Sequence, residues 1–364
     1  MKNYQRTIIG GEKMASIQEY LQETPSKLLE IIEKGDRLFS SIKKEKITRI
    51  FLTGSGTSYH SALQMAPQMQ KLLQLEVRAV YPFTITEETF LSDNEQTLVV
   101  GISQGGSSFS TYNAMKLAKS KGCITASMAG EEQAFIDEMA DFVLTVHCGP
   151  EKAGAKTKGF YCTKLNLLLL ALYLGLEQGT ISEETFEQQI QGVKTAAGQF
   201  QAVYETSLKW ISANQERLVT AKEIRVAGPA AIYGDVLESA LKLLETMRCP
   251  VSGYEFEEFI HGIYNAINED SMVFILDNGD EPRSEKMKEV LSEWSDTIFL
   301  ITTYESDAAD LVLPVTTDPE FMTFNFIVLL QLICGEIPHL RGVDPSTPKD
   351  PQFHMKLGSK KFNR

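Results

Sequence analysis

The residues most able to do chemistry in this chain lie at positions 101–108, Gly-Ile-Ser-Gln-Gly-Gly-Ser-Ser. They follow an apolar run over residues 97–100 and precede a helical pattern over residues 112–120. At the start of a helix the backbone N–H groups are unpaired, and the helix dipole favours an anion there. Glycines let the backbone approach a ligand, and hydroxyls such as those of Ser103 and Ser108 are neutral donors. The pattern predicts a phosphate-binding turn, with plain helix capping as the alternative.

A second turn of the same kind lies upstream. Residues 49–53 are predicted to form a buried strand, residues 54–58 (Gly-Ser-Gly-Thr-Ser) follow it, and residues 59–73 have a helical pattern. Both turns should lie at the carboxyl ends of neighbouring strands, where open parallel sheets bind ligands. Tyr59 stands where a dinucleotide fingerprint has its third glycine, and neither turn contains the lysine of a nucleotide P-loop. We therefore predict a monophosphate site rather than a nucleotide site.

Composition excludes several classes of protein. The 364 residues suffice for two ordinary cores, and 43% hydrophobic with 23% charged residues is typical of a soluble globular protein. The net charge of -13 argues against a nucleic-acid partner. The five cysteines show no metal-ligand spacing and are expected to be reduced intracellular thiols. Residues 1–6 lack a signal-peptide core, and the apolar run over residues 165–174 predicts a buried helix rather than a membrane span. We expect a cytoplasmic protein with no membrane association.

Strand and helix patterns alternate along most of the chain, which implies right-handed βαβ units and parallel sheets covered on both faces. Two polar helices, over residues 182–196 and 200–220, separate the two stretches of alternation, and a long helix is predicted over residues 319–334. The predicted strands are residues 49–53, 76–80, 97–102, 124–127, 142–146, 224–228, 271–276, 297–302 and 311–315.

The two halves look like a repeat. Residues 224–229 match residues 50–55 in type and place, and residues 273–280 match residues 99–106. We predict five segments: a helical segment 1–45, a phosphate-binding domain 46–180, a helical connector 181–220, a second domain 221–345, and a tail 346–364 that closes over the site.

The second copy of the phosphate turn is acidic. Asp277, Asp280 and Glu281 stand where the first copy has hydroxyls. Because carboxylates repel a phosphate, we expect one phosphate site per chain, in the first half.

The second half supplies candidate acid–base groups. Glu238, Lys242 and Glu245 are spaced by four and three residues, so they project from one face of a predicted helix. On pattern alone the favoured interpretation of such spacing is a solvated salt-bridge stripe. His261 lies in a hydrophobic and acidic stretch, where a lone histidine is more often structural than catalytic.

Taken together, these residues resemble a known family. Over about residues 30–360 the chain resembles tandem sugar-isomerase-domain (SIS) proteins; it is similar to the isomerase half of glucosamine-6-phosphate synthase and closer still to bacterial fructosamine-6-phosphate deglycases. The resemblance implies an α/β fold of two tandem doubly wound, flavodoxin-like parallel-sheet domains flanked by helices. The matching motifs are Gly56-Thr57-Ser58, Ser103-Gln104-x-Gly106-x-Ser108, the Gly-Ala-Lys-Thr-Lys segment at residues 154–158, Glu238-x3-Lys242-x2-Glu245, and His261, which lies 16 residues after Glu245.

The resemblance also implies roles for these residues. Glu245 moves a proton between C1 and C2 of the sugar, Lys242 and Glu238 lie beside it, and His261 of a neighbouring subunit assists ring opening. A lysine near the C-terminus closes over the substrate; Lys356 is the assignment and Lys360 the alternative. No metal or redox cofactor is implied. The residues expected to hold the phosphate and sugar are Gly56, Thr57, Ser58, Ser103, Gln104, Gly106, Ser108, Lys156 and Thr157.

The chain departs from the synthase at informative positions. Lys156 stands where the synthase has a hydroxyl, and Gly105 where it has a third donor serine. A cation at position 156 would suit the phosphate or the carboxylate of an amino-acid adduct, with a surface lysine as the alternative. The chain begins without the synthase's cysteine nucleophile and glutaminase domain, so we do not expect glutamine-dependent activity.

Three functions remain. The first is a deglycase that cleaves an adduct of the fructoselysine or glucoselysine 6-phosphate type to glucose 6-phosphate and a free amino acid. The second is an amino-sugar-phosphate isomerase or deaminase of the glucosamine 6-phosphate type. The third, a non-catalytic sugar-phosphate sensor, ranks last because the glutamate and histidine are present. A homodimer with shared active sites is expected from the resemblance and from residues 165–171 and 326–332, which are apolar on more than one helix face.

Overall fold

Two five-stranded parallel sheets form the centres of two successive halves of the chain. The computed structural model describes residues 16–92 and 94–361, together with the backbone of β1 (Ile8–Ile9) and β2 (Glu12–Lys13), which pair antiparallel. The first sheet comprises β3 (Arg49–Thr53), β4 (Glu76–Val80), β5 (Thr97–Ile102), β6 (Ile124–Met128) and β7 (Phe142–Val143). The second comprises β8 (Glu223–Gly228), β9 (Val251–Glu255), β10 (Ser271–Asp277), β11 (Ile298–Thr302) and β12 (Leu311–Val312). The predicted α/β class is therefore confirmed.

The two sheets have the same topology. The first is ordered β4-β3-β5-β6-β7 and the second, counted from its other edge, β9-β8-β10-β11-β12. In both, the first strand of the half lies between the second and third, which is the flavodoxin-like order of a doubly wound sheet. Strands β3 and β5 are adjacent and end together, with Thr53 opposite Gly101. The turns that follow them therefore leave the sheet side by side, at the switch point where such folds bind ligands.

Twelve α-helices surround the sheets in the described part of the chain. They are α1 (Ile17–Phe39), α2 (Thr57–Leu73), α3 (Phe109–Ser120), α4 (Lys158–Gln178), α5 (Glu183–Ala213), α6 (Gln215–Val219), α7 (Tyr233–Met247), α8 (Phe256–Ile260), α9 (Ser284–Leu291), α10 (Pro319–Met322), α11 (Val328–Glu336) and α12 (Phe353–Leu357).

The sequence did not reveal β9. This strand is half-buried along its whole length and contains serine and glycine, so it has neither an apolar run nor a clean alternation. Its place at the sheet edge, paired only with β8, tolerates such residues because one side of the strand makes no ladder.

Three helix predictions were wrong in extent. The two connector helices are largely one 31-residue helix, α5, which runs through Gly198 without a break. The long helix predicted over residues 319–334 is broken between α10 and α11, because Lys164 takes the carbonyl of Thr323 that would have continued the helical ladder. The N-terminal segment is helical over Ile17–Phe39, whereas β1 and β2 are extended; the rest of residues 1–15 lies outside the described residues.

The long apolar helix α4 lies inside the core. By length and composition it is able to cross a membrane, but 89% of its apolar window is buried within the protein. Residues 165–171 of α4 and 326–332 around α11 are all buried within one chain. The buried helix predicted for residues 165–174 is confirmed. Because both apolar segments are covered within one chain, they do not by themselves require a second subunit, and the homodimer stays a prediction from the resemblance.

Helices α2 and α7 meet where the halves join. Gly234, in the first turn of α7, packs directly on the α2 backbone: a methyl group there would lie 2.6 Å from the carbonyl oxygen of His60 and 2.7 Å from the amide nitrogen of Gln64. The side chain of Gln64 closes the contact, accepting the Asp235 N–H at 3.1 Å and donating to the Ala231 carbonyl at 2.8 Å.

This contact predicts a cost for any side chain at position 234. Gly234→Ala must push α7 away from α2 and is expected to destabilise the protein by about 1–3 kcal/mol, the usual cost of overpacking. Gly198→Ala is the matched control: it adds a methyl group in open space within α5 and should be neutral or stabilising by about 1 kcal/mol. Urea unfolding measures both; equal midpoints for the two variants would contradict the tight contact.

Candidate active site

The predicted acid–base helix is α7, and its polar face is not a solvated stripe. Glu238 and Lys242 are buried, and Glu245 is the member that reaches the surface, with 37% of its side chain exposed. Lys242 Nζ lies 2.7 Å from Glu245 Oε2 and 3.8 Å from Glu238 Oε1. One ammonium therefore lies between two carboxylates, one deep and one at the mouth of the site.

The deep carboxylate connects the two halves. Glu238 Oε1 accepts a hydrogen bond from Thr57 Oγ1 at 2.9 Å, and Glu238 Oε2 lies 2.8 Å from His60 Nδ1. Both partners are in the first turn of α2, directly after the first phosphate turn. Sequence analysis missed His60; the available signal was a histidine three residues after Thr57 and hence on the same helix face.

Glu245 has the properties of an acid–base group. Burial among protein atoms raises the pKa of Glu245, and the neighbouring Lys242 ammonium opposes that effect without cancelling it. Burial alone would lower the pKa of Lys242, but the charges of Glu238 and Glu245 outweigh it and the net direction is upward. Lys242 thus stays charged, while Glu245 takes a proton more readily than an ordinary surface carboxylate does.

The first phosphate turn opens α2. Gly56 is the N-cap residue, in the left-handed region at φ 57°, and Thr57 begins the helix. No side chain caps this helix end, so its N–H groups are available to an anion. Ser58 is buried in the same turn, and the Thr57 hydroxyl donates a hydrogen bond to Glu238. The predicted phosphate turn before α2 and the helix α7 are thereby in direct contact.

In the second turn, some of the residues predicted to bind the phosphate instead stabilise the loop. Ser108 is the N-cap of α3, with its Oγ accepting the Thr111 N–H at 3.3 Å, which is the capping alternative. Gln104 donates from Nε2 to Cys148 Sγ at 2.9 Å. Gly106 has φ 62°, and a methyl group there would lie 2.3 Å from Ala134 Cβ. Ser103 is half-buried and directly follows the end of β5.

The third loop contributes its lysine rather than its threonine. The Glu151 carboxylate caps α4, accepting the N–H groups of Thr157 at 2.6 Å, Lys158 at 2.9 Å and Gly159 at 2.9 Å. The Thr157 hydroxyl is directed to the same carboxylate at 3.3 Å, so this helix start already holds an anion from its own chain. Lys156 is half-buried and forms no ion pair within residues 16–92 and 94–361.

The C-terminal tail reaches the site through Lys360. Lys356 forms an exposed ion pair with Asp350, Nζ to Oδ2 2.6 Å, and so does not reach the site. Beyond it, Lys360 pairs with Ser108 in an antiparallel bridge, and the Lys361 N–H donates to the Ser107 carbonyl at 2.9 Å. Burial lowers the pKa of Lys360, and the nearby Lys156 ammonium lowers it further. The assignment therefore moves from Lys356 to its alternative, Lys360.

His261 is not part of this cluster within one chain. It follows α8, 69% of its side chain is exposed, and its charged neighbour is Glu257, with Nε2 to Oε1 3.6 Å. Within the described residues no group of three or more histidine, cysteine, aspartate or glutamate side chains could hold a metal ion.

The equivalent turn of the second half is occupied by its own carboxylate. Asp277 Oδ1 accepts the Gly279 N–H at 2.8 Å, and Asp277 Oδ2 accepts the Tyr304 hydroxyl at 2.7 Å. A phosphate placed here would meet this negative charge, which agrees with the expectation of one phosphate site per chain.

Comparison with known proteins places this geometry in a family. The profile of the SIS domain matches residues 41–173. A solved structure from Clostridium difficile 630, described as a candidate phosphosugar isomerase, is 59% identical, covers 96% of this chain and 100% of that chain, and superimposes with a TM-score of 0.93. The chain belongs to the SIS domain family. A candidate sugar-binding protein from Salmonella typhimurium LT2 is 40% identical over 88% of this SIS chain and 99% of its own, with a TM-score of 0.79.

Curated relatives of this SIS protein are longer than the chain itself. A glutamine–fructose-6-phosphate aminotransferase (isomerizing) from Helicobacter pylori is 27% identical over 347 residues, which are 92% of this chain and 57% of the aminotransferase. The chain thus spans little more than half of that relative. The C-terminal domain of the Francisella tularensis glucosamine-fructose-6-phosphate aminotransferase has a TM-score of 0.82 at 17% identity over 93% of this chain and 99% of its own, a likeness of fold.

The geometry of α7 predicts that Glu245→Gln separates binding from turnover. The amide cannot take the proton, so turnover should fall about 10²–10⁴-fold, the usual contribution of a positioned acid–base group. The phosphate turns are untouched, so calorimetry should show unchanged binding of glucose 6-phosphate. Glu216→Gln, on the exposed face of α6, is the control and should turn over normally. Normal turnover by Glu245→Gln would contradict the assignment.

A second prediction concerns pH. Glu245 must be ionised to accept a proton, so kcat/KM should fall as the pH drops through its raised pKa. Lys242→Met removes the cation that holds this pKa down, so the acid limb of the pH profile should move to higher pH. Lys209→Met, on the exposed face of α5, should leave that limb in place. An unmoved or downward-shifted limb in Lys242→Met would be inconsistent with the role of the ion pair.

Proposed function

We propose that this protein is a deglycase that converts an amino-acid adduct of a sugar 6-phosphate, of the fructoselysine 6-phosphate type, into glucose 6-phosphate and the free amino acid. The observation that carries the proposal is the pair Lys156 and Lys360. Lys360 is bridged to the second turn at Ser108, neither lysine is in an ion pair within the described residues, and the Lys156 ammonium adds to burial in lowering the pKa of Lys360. Two cations that repel each other beside a sugar site favour a second anionic group on the substrate, such as the carboxylate of an amino acid.

The phosphate is assigned to the first half of the chain. The uncapped start of α2 offers backbone N–H groups, Ser58 lies in that turn and Ser103 at the neighbouring strand end. Anchoring one end of the substrate here leaves the sugar to extend towards α7, because Thr57 already touches Glu238. The proposal therefore puts C1 and C2 of the sugar near the Glu245 carboxylate, at the mouth of the site.

The chemistry is a proton transfer followed by hydrolysis. Glu245 removes a proton from C1 of the open-chain ketoamine, and the electron pair forms a C1–C2 double bond while the C2 oxygen gains a proton. Glu245 then returns its proton to C2, which leaves a C1 imine. Water adds at C1, the C1–N bond breaks, and the nitrogen departs as the protonated amine of the amino acid. One water is consumed and no electrons leave the substrate.

The other groups serve this transfer. Lys242 stabilises the ionised form of Glu245 at 2.7 Å, and Glu238 with His60 keeps Lys242 and the helix in place. We assign ring opening to His261 of a second subunit, because this histidine is exposed and lies outside its own chain's cluster. The proposal therefore includes a homodimer, in which the site is completed in trans. The free cysteines fit a reducing compartment, the cytoplasm.

A second candidate is an amino-sugar-phosphate isomerase or deaminase. Its support is the name of the 59% identical relative, a candidate phosphosugar isomerase, and of the aminotransferase relatives. The same proton transfer between C1 and C2 serves this reaction, and the water attack at C1 distinguishes the deglycase from it.

The deciding experiment is a glucose-6-phosphate dehydrogenase-coupled assay with fructoselysine 6-phosphate, glucoselysine 6-phosphate and glucosamine 6-phosphate, in which free lysine and ammonia are also followed. Glucose 6-phosphate released together with lysine is the expected result. Ammonia from glucosamine 6-phosphate, with both lysine adducts inert, would establish the second candidate instead. No turnover of any of the three substrates would overturn both.

The two lysines give a sharper prediction about the substrate's second anion. Lys156→Ala should raise KM for fructoselysine 6-phosphate by about ten-fold, since a charge-assisted hydrogen bond contributes about 1.5–3 kcal/mol. The same variant should leave KM unchanged for the adduct of cadaverine, which lacks the carboxylate. Lys356→Ala is the control, because its ammonium is paired with Asp350 away from the site. Equal losses on the two substrates would assign Lys156 to the phosphate.

A further inference from the structure

A second buried ion pair joins the acid–base helix to the first half of the chain. Lys164 of α4 and Asp235 of α7 are both fully buried, with Nζ to Oδ1 2.9 Å. The three donors of the ammonium are all used: besides Asp235, Lys164 donates to the Thr323 hydroxyl at 2.7 Å and to the Thr323 carbonyl. The rings of Phe160 and Phe324 lie 4.0 and 5.7 Å from Nζ, measured to their centroids.

The location of this pair connects it to the site. Asp235 precedes Glu238 by one helical turn, so both project from the side of α7 that faces the first half. Lys164 belongs to the helix that begins at the third loop, and Glu238 contacts the helix that begins at the first phosphate turn. The start of α7 is thus fixed to both helices that carry substrate loops.

Stability does not explain such a pair. Taking two charges out of water costs about as much as their attraction returns, so apolar replacements of both partners are often neutral or stabilising. The second oxygen of Asp235 accepts no hydrogen bond from the part of the chain that the structure describes, which adds to the cost. What the pair does supply is a directional restraint, because an apolar contact tolerates sliding whereas an ammonium with three acceptors does not.

We propose that the Lys164–Asp235 ion pair is a positioning device: it sets the position of α7 along α4, and so the distance of Glu245 from a sugar whose phosphate is held by the first half. Lys164 and Asp235 do not touch the substrate in this arrangement. The inference rests on the proposed function for its kinetic readout, but its structural content, the register of α7 against α4, is independent of the substrate.

The test is the double variant Lys164→Met with Asp235→Leu. We expect the thermal stability of this variant to equal or exceed that of the native protein, and its binding of glucose 6-phosphate to be unchanged. Its kcat for the adduct should fall about 10²-fold, as expected when a catalytic group is displaced by about an ångström. Hydrogen exchange should be faster in the first turn of α7 and unchanged in α3. Wild-type kcat in the stable double variant would overturn the proposal, and so would unchanged exchange in α7.

Two further variants provide a milder perturbation of the ion pair and a matched control. Thr323→Val removes one hydrogen-bond acceptor of Lys164 and preserves the shape of the side chain, so it should also lower kcat, by a smaller factor than the double variant. If the double variant fails to fold, a wild-type kcat in Thr323→Val overturns the proposal. Lys288→Met removes a cation from an ion pair with Asp310 that does not involve α7 and should leave kcat unchanged. If the native protein cleaves no adduct, the proposed function fails, and the exchange rates in α7 still decide the register claim.

Discussion

The packing of α7 against α2, together with the Lys164–Asp235 ion pair that links α7 to α4, is the constraint on which the rest of this structure depends. Each half of the chain has a complete doubly wound sheet, but neither half has a complete site: the first has the phosphate turns, and the second has the carboxylates. Contacts between α7 and α2 join the halves. Gly234, at the start of α7, has no side chain and so permits backbone contact with α2, and Glu238 reaches Thr57 and His60. Because a packed interior transmits small displacements, the distance between the turn before α2 and the Glu245 carboxylate is set at this contact.

Charged side chains follow one another along the same contact, from the buried interior to the surface. Two buried ammonium groups, Lys164 and Lys242, pair with the buried carboxylates of Asp235 and Glu238 respectively, and the series ends at Glu245, which reaches the surface. Each buried member has a partner of opposite sign or a hydrogen-bonding neighbour, which burial requires. Glu245 alone combines a cationic partner with access to solvent, and this combination suits a group that must exchange protons with a ligand. Lys156 and Lys360, which form no ion pair among the described residues, lie near each other and add positive charge beside the second turn.

Sequence reasoning succeeded where a local pattern is enough. Apolar runs ending in glycine and hydroxyl residues placed β3, β5 and the turns after them, and the repeat between the halves anticipated two sheets of one topology. It failed where partners distant in the chain decide. The break at Thr323 is made by Lys164, the half-buried edge strand β9 is held by β8, and the hydroxyl of Thr157 is taken by Glu151. Domain boundaries and the contribution of His261 from a second subunit stay predictions.

By itself, the sequence determined that this is an α/β chain of two similar halves, with a helix that carries Glu238, Lys242 and Glu245 on one face. It also determined that the strand-to-helix turn is rich in glycine and hydroxyl residues in the first half and acidic in the second. Periodicity and turn chemistry are local, so these features can be read from neighbours in the chain. Only the tertiary structure decided which of those charges is buried, that His60 joins them, that Lys360 rather than Lys356 reaches the loops, and that the apolar helices are covered within one chain. Burial and pairing depend on contacts across the two halves, more than a hundred residues apart for Thr57 and Glu238, and no local pattern encodes them.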